Sequence, residues 1–179
     1  ASVNQSNIRE TCGNIIYVQP GDVYITNKDE CISTVLGSCI AVCMLDPEKN
    51  IGGMNHFMLA KAPNATPDSM AFIATNAGRY GMAAMEQLIN GIAKKGGHKN
   101  RLVAKVFGGA AMFDSQLGSN VGKANVEFVM WFLQQEKIKI TAKDVGGNQS
   151  RRIFFRPHEG KVILKRIHVA SSEVAKSIK

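Results

Sequence analysis

The sequence predicts an α+β fold, read as a layered α/β sandwich. Mostly antiparallel strands pack in sheets, with two to three helices on one side. Three observations carry this. Short β-like runs, bounded by Gly, Pro, Asn and Asp, recur along the chain. Only two stretches repeat their apolar residues at helical spacing. Three strands follow the second helix, with Pro157-His158-Glu159-Gly160 as a turn between the last two.

In chain order, residues 1–20 read as a loose N-terminal extension, 21–169 as one domain, and 170–179 as a basic tail. Asp22-Val23-Tyr24-Ile25-Thr26 alternates as a strand should, and Cys31 to Leu36 is a second β-like run. Ile40 to Leu45 and Ile51 to Leu59 form a hairpin about the turn Asp46-Pro47-Glu48-Lys49-Asn50. Residues 61–68, with Pro63, Asn64 and Pro67, read as a loop. A helix runs from about Met70 to Lys95, as two pieces or one late-starting one because of Gly78 and Gly81, and stops at Gly96-Gly97. Arg101 to Phe107 is a strand. A second helix fits Val121 to Glu136, capped by Asn120. Strands follow at Ile138–Val145, Ser150–Arg156 and Lys161–Val169.

The chain has 179 residues, 45% hydrophobic and 20% charged, the balance of a soluble globular protein. No run approaches the roughly 20 apolar residues of a membrane span, and the first residues carry no export signal. The expected location is cytoplasmic. The four cysteines, Cys12, Cys31, Cys39 and Cys43, are accordingly expected as reduced thiols. The net charge of +8 favours an acidic partner. Nucleic acid is not expected: Arg151 to Arg156 mixes Arg and Phe without segregating them, and reads as a strand with a basic edge. Gly118 to Ala124 superficially resembles a phosphate loop, but it is one residue short and lacks the Ser or Thr after Lys123.

The chemistry centres on Cys39 and His56. Folding the hairpin about the middle of its turn sets Leu45 opposite Ile51 and Ile40 opposite His56. A one-residue bulge, which Gly52-Gly53 invites, would align Cys39 with His56. A thiol beside an imidazole is the minimal constellation for nucleophilic acyl transfer. Gly37 and Ser38, in the turn before Cys39, could supply amide donors to an oxyanion. His56 needs a group that fixes its tautomer, and a hydroxyl from Ser33 or Thr34 is the candidate. Cys43 lies about 13 Å along the strand from Cys39 and reads as core. His98, His158 and His168 read as surface residues. Zinc is disfavoured, since no second Cys or His pair has ligand spacing.

Several segments together resemble one known family, the chemoreceptor glutamine deamidases called CheD. They are Leu36-Gly37-Ser38-Cys39-Ile40-Ala41-Val42, Asp46-Pro47, Gly52-Gly53-Met54-Asn55-His56-Phe57-Met58-Leu59, Gly108-Gly109-Ala110-Ala111-Met112-Phe113 and Asp144-Val145-Gly146-Gly147-Asn148. The resemblance runs in order from about Asp22 to Ile167. It implies hydrolysis of protein-bound glutamine side chains to glutamate and ammonia, with Cys39 as nucleophile and His56 as base. The family's third residue is a threonine upstream of the Gly-Ser-Cys turn. Direct register puts Ser33 there, and Thr34 is one residue on. The resemblance further implies methyl-accepting chemotaxis receptors as substrates, a CheC-type phosphatase as a possible partner, and no metal or cofactor.

Overall fold

A computed structural model describes residues 12–59, 70–111 and 116–167, with backbone alone for 116–120. The strands are β1 (Ile15–Tyr17), β2 (Val23–Thr26), β3 (Cys31–Leu36), β4 (Ile40–Asp46), β5 (Ile51–Phe57), β6 (Val103–Gly108), β7 (Lys139–Val145), β8 (Ser150–Arg156) and β9 (Lys161–Ile167). The helices are α1 (Met70–Ile73), α2 (Asn76–Lys94) and α3 (Gln116–Gln135). Loop 61–68, the segment after Ala170, Met112, Phe113 and His168 lie outside the described residues.

Two mixed, largely antiparallel sheets form, ordered β1-β3-β8-β9 and β2-β5-β4-β6-β7. Alternation along β4 explains the layering. Ile40, Val42 and Met44 face α2 and α3, while Ala41, Cys43 and Leu45 face the first sheet. Both faces of this central strand are buried, which is why it reads as an unbroken apolar run. The order of layers is therefore helices, five-stranded sheet, four-stranded sheet. Phe128 of α3 centres the helical side, its ring 6.1 Å from Phe57 and 5.8 Å from Phe72.

The helix expected near 70–95 is two pieces. Thr75 ends the first by donating to the Phe72 carbonyl at 2.6 Å and caps the second by accepting from the Gly78 amide at 3.1 Å. The second helix begins at Gln116, five residues before the expected start, so the phosphate-loop look-alike at 118–124 is helix interior. β8 lies inside its sheet between β3 and β9, not at a basic edge. Its alternation sends Arg151, Ile153 and Phe155 inward, and Arg152, Phe154 and Arg156 outward.

Residues 15–17, expected within the loose N-terminal extension, form β1, parallel to β3 with Ile15 opposite Cys31. That pairing brings Cys12 over β3. Cys12 and Cys31 form a disulfide with their Cα atoms 5.3 Å apart, correcting the expectation of four free thiols. Cys39 and Cys43 are free.

Candidate active site

The β4–β5 hairpin is one residue out of the expected register. Asp46 pairs with Ile51, Leu45 with Gly52, Ile40 with Phe57 and Ala41 with His56, with no bulge. Asp46 stays in the strand because its buried carboxylate accepts from the His98 amide at 2.8 Å and from Arg101 Nη2 at 2.8 Å. The turn is thus Pro47 to Asn50, and Asn50 takes the left-handed conformation that closes it. Ala41 and Cys39 share a face, so Cys39 is the diagonal neighbour of His56 and not its direct partner. Backbones so related lie about 7–8 Å apart, within reach of a thiol and an imidazole.

His56 is bracketed by the turn Gln19-Pro20-Gly21-Asp22. The Asp22 amide donates to the Gln19 carbonyl at 2.9 Å, with Pro20 and a left-handed Gly21 at the two central positions. The Gly21 amide donates to the His56 carbonyl at 2.8 Å, and the His56 amide to the Asp22 carbonyl at 3.2 Å. The ring points between the sheets, where Thr34 Oγ1 lies 2.7 Å from Nδ1. Thr34 Oγ1 also donates to the Val18 carbonyl at 2.8 Å. A hydroxyl has one proton. With that proton directed at the Val18 carbonyl, Thr34 accepts from His56 Nδ1–H, which assigns the lone pair to Nε2. Nε2 is buried without a hydrogen-bond partner among the described residues, as a waiting base would be.

Of the two hydroxyls, the structure therefore brings Thr34 to His56. Ser33, one residue earlier in the strand, shares the outward parity of Cys31. Cys39 packs at the border of the inter-sheet cluster and is not hydrogen-bonded to Nε2 in the free protein. Burial pushes the Cys39 thiol above its ordinary range, and burial pulls His56 below its own, against a smaller opposing pull from Asp22. The resting pair is thus thiol and neutral imidazole. Cys43 is fully buried, and its thiol is pushed up far beyond use by desolvation. His98 and His158 are exposed.

The turn that carries Cys39 is held by residues that pattern reading did not single out for this role. Its three carbonyls are tied into the fold. Ala110 N–H donates to Gly37 at 3.0 Å, Asn125 Nδ2 to Ser38 at 2.8 Å and Gly109 N–H to Cys39 at 2.8 Å. Asn125, fully buried on α3, also accepts from the Leu59 amide at 2.9 Å. Gly108 has a positive φ, and any side chain there would collide with the Cys39 carbonyl. Behind this loop, buried Arg151 donates to Asp144 at 2.6 Å and to the Gly146 carbonyl at 2.7 Å. The only sequence signal for this clamp was the pair of glycine motifs, Gly108-Gly109 and Gly146-Gly147.

A cleft of about 400 Å³ opens beside His56. Ser33, Thr34, Val35, Arg152 and the segment Tyr17 to Pro20 form its walls; Cys39 is not among them. Among the described residues, no group of three or more His, Cys, Asp or Glu side chains is placed to hold a metal ion. Nor is any helix there long and apolar enough to cross a membrane.

Residues 58–166 match the family described as CheD chemotactic sensory transduction. The chain is also 45% identical over 151 residues, 84% of its length and 72% of the relative's, to the "Probable chemoreceptor glutamine deamidase CheD 1" of Dechloromonas aromatica. The chain belongs to the CheD family. Two further CheD relatives, of Burkholderia thailandensis and Burkholderia mallei, share 45% identity over 156 residues. Against these the chain spans 65% of their length, under two thirds. The CheD family match begins just after His56, whereas the 151-residue alignment leaves out too little of the chain to miss Cys39 or His56.

Proposed function

We propose that the chain is a cysteine-dependent protein-glutamine deamidase that converts glutamine side chains of chemoreceptors to glutamate. The observation that supports this most is the Thr34–His56 contact at 2.7 Å, which assigns the lone pair to Nε2 of a ring diagonally opposite Cys39. The relatives' names supply the substrate class.

In this reading His56 Nε2 takes the Cys39 proton as the sulfur attacks the glutamine side-chain carbonyl. The C–O π electrons move to oxygen. With the three carbonyls of the Gly37–Cys39 turn tied inward, backbone amides of Gly37 and Ser38 receive that oxyanion. The imidazolium proton goes to the amide nitrogen, the C–N bond breaks, and ammonia leaves a thioester. Water then loses a proton to Nε2 and attacks. Collapse breaks the C–S bond, and the imidazolium returns a proton to sulfur. Thr34 positions the imidazole throughout and touches no reacting atom. Neither metal nor cofactor takes part in this sequence.

The reading locates the protein in the cytoplasm and keeps a CheC-type phosphatase as a binding partner. Mass spectrometry of a receptor cytoplasmic fragment after incubation tests the activity. Specific glutamines are expected to gain about one dalton each with the wild-type chain and none with Cys39→Ala. Unchanged conversion by Cys39→Ala would sink the proposed nucleophile.

A further inference from the structure

Among the residues that line the cleft beside His56, one carries a fixed charge, Arg152. Arg152 stands on the outward face of β8, half-buried in the cleft wall. Its cross-strand neighbours are Val35 of β3 and Lys165 of β9. Like charges placed directly opposite on a sheet are destabilising. Arg101, Arg151, Arg156 and Arg166 each hold a carboxylate. Among the described residues Arg152 has none, and neither does Arg79, which is exposed and bonds Asn76. A planar guanidinium kept beside a lysine, without a counter-ion, is arranged for a carboxylate that arrives from outside.

The surroundings fit that arrival. β1 pairs with β3 only as far as Ser33, so Val35 lies on an open edge at the cleft mouth. Val35 and Tyr17 are 43% and 59% exposed there, an apolar rim around a cationic point. His56, the proposed base, also lines the cleft. A polypeptide lying in this cleft beside His56 meets Arg152 in its wall.

We propose that Arg152, with Lys165 behind it, forms a carboxylate subsite that selects glutamines with an acidic residue nearby in the substrate chain. This rests on the deamidase reading for its substrate but makes a separate claim about binding. Arg152 is a specificity residue; it takes no part in the proton transfers.

The test uses the full chain and two labelled synthetic peptides. Each carries one glutamine, flanked four residues on either side by glutamate in one peptide and by alanine in its twin. Binding is read by fluorescence anisotropy on the Cys39→Ala chain, and turnover by ammonia release on the active chain. The glutamate peptide is expected to bind about tenfold more tightly than its twin, the scale of one charge-assisted pair. Arg152→Gln should abolish that preference and raise KM for the glutamate peptide with kcat unchanged, and Arg152→Lys should keep most of it. Equal binding of the twins to Cys39→Ala, no binding of either, or an equal loss on both with Arg152→Gln overturns the subsite. Matching thermal melts for the Arg152 variants show that folding is intact. If the preference holds but no ammonia appears, the deamidase reading fails and the subsite stands.

Discussion

At the scale of single residues, Thr34 and Ser33 separate most sharply. Adjacent strand residues point to opposite faces, so only one of two neighbouring hydroxyls can meet a given ring. Thr34→Val keeps the shape but removes the acceptor for Nδ1–H. It should lower kcat by about 10- to 100-fold, less than the loss of the base itself. Thr34→Ser should retain most activity, and Ser33→Ala should stay within about twofold, since its parity turns it away from the imidazole. Steady-state ammonia release checks all three; a larger loss for Ser33→Ala than for Thr34→Val would reverse the assignment. The pH profile belongs to the same residue. The base must be neutral, and burial holds the His56 pKa below the ordinary histidine value of about 6.5. Imidazole therefore stays unprotonated to lower pH than it would in water. The acid limb of kcat/KM should fall below about pH 6.5 and disappear with the activity in His56→Ala. A limb clearly above that value would contradict the buried neutral base.

Among the elements, β1 and the Cys39 turn carry the less obvious design. β1 is three residues long, yet its end leads into Val18, whose carbonyl accepts the Thr34 hydroxyl's hydrogen bond, and into the turn that brackets His56. The Cys12–Cys31 disulfide closes a loop with a sequence separation of 19. A loop of that size stabilises the fold by about 3 kcal/mol if the bridge acts on the unfolded chain. Reduction, or the Cys12→Ser, Cys31→Ser double variant, should lower the melting temperature by about 5 °C or more. The bridge packs with Phe154 and Ile163 on the face of the sheet opposite Thr34, so ammonia release at 25 °C should change less than about twofold. A reducing cytoplasm would then cost stability and not activity. Scanning calorimetry with and without reductant reads the first effect, and a parallel activity assay the second. Loss of activity on reduction at a temperature where the fold persists would show that the bridge supports the site.

For the molecule as a whole, charge and layering matter most. A net charge of +8 steers the chain toward an acidic surface, and salt screens such steering. KM for a receptor fragment should rise about threefold or more between about 0.05 and 0.3 M salt with kcat little changed, and salt-insensitive turnover would count against this. The layered fold itself was legible in the sequence, because period-two and helical apolar patterns report directly which faces need covering. So were the strands β3, β4, β5 and β8, the stop of α2 at Gly96-Gly97, the thiol and imidazole, and the glycine motifs that now clamp the Cys39 turn. β1 was not legible, since three residues give no periodicity to read. The hairpin register slipped by one because Asp46 is kept in the strand by Arg101 and the His98 amide, more than 50 positions away. The same limit applies to the disulfide, to Asn125 under Ser38 and to the choice of Thr34. Each depends on a contact between layers. By itself the sequence placed a thiol in the turn before β4 and an imidazole on the strand that returns beside it. Only the tertiary structure decided which hydroxyl meets His56, which nitrogen is left free, and what holds Cys39 in place, because side-chain direction across two packed sheets is set by register and not by residue type.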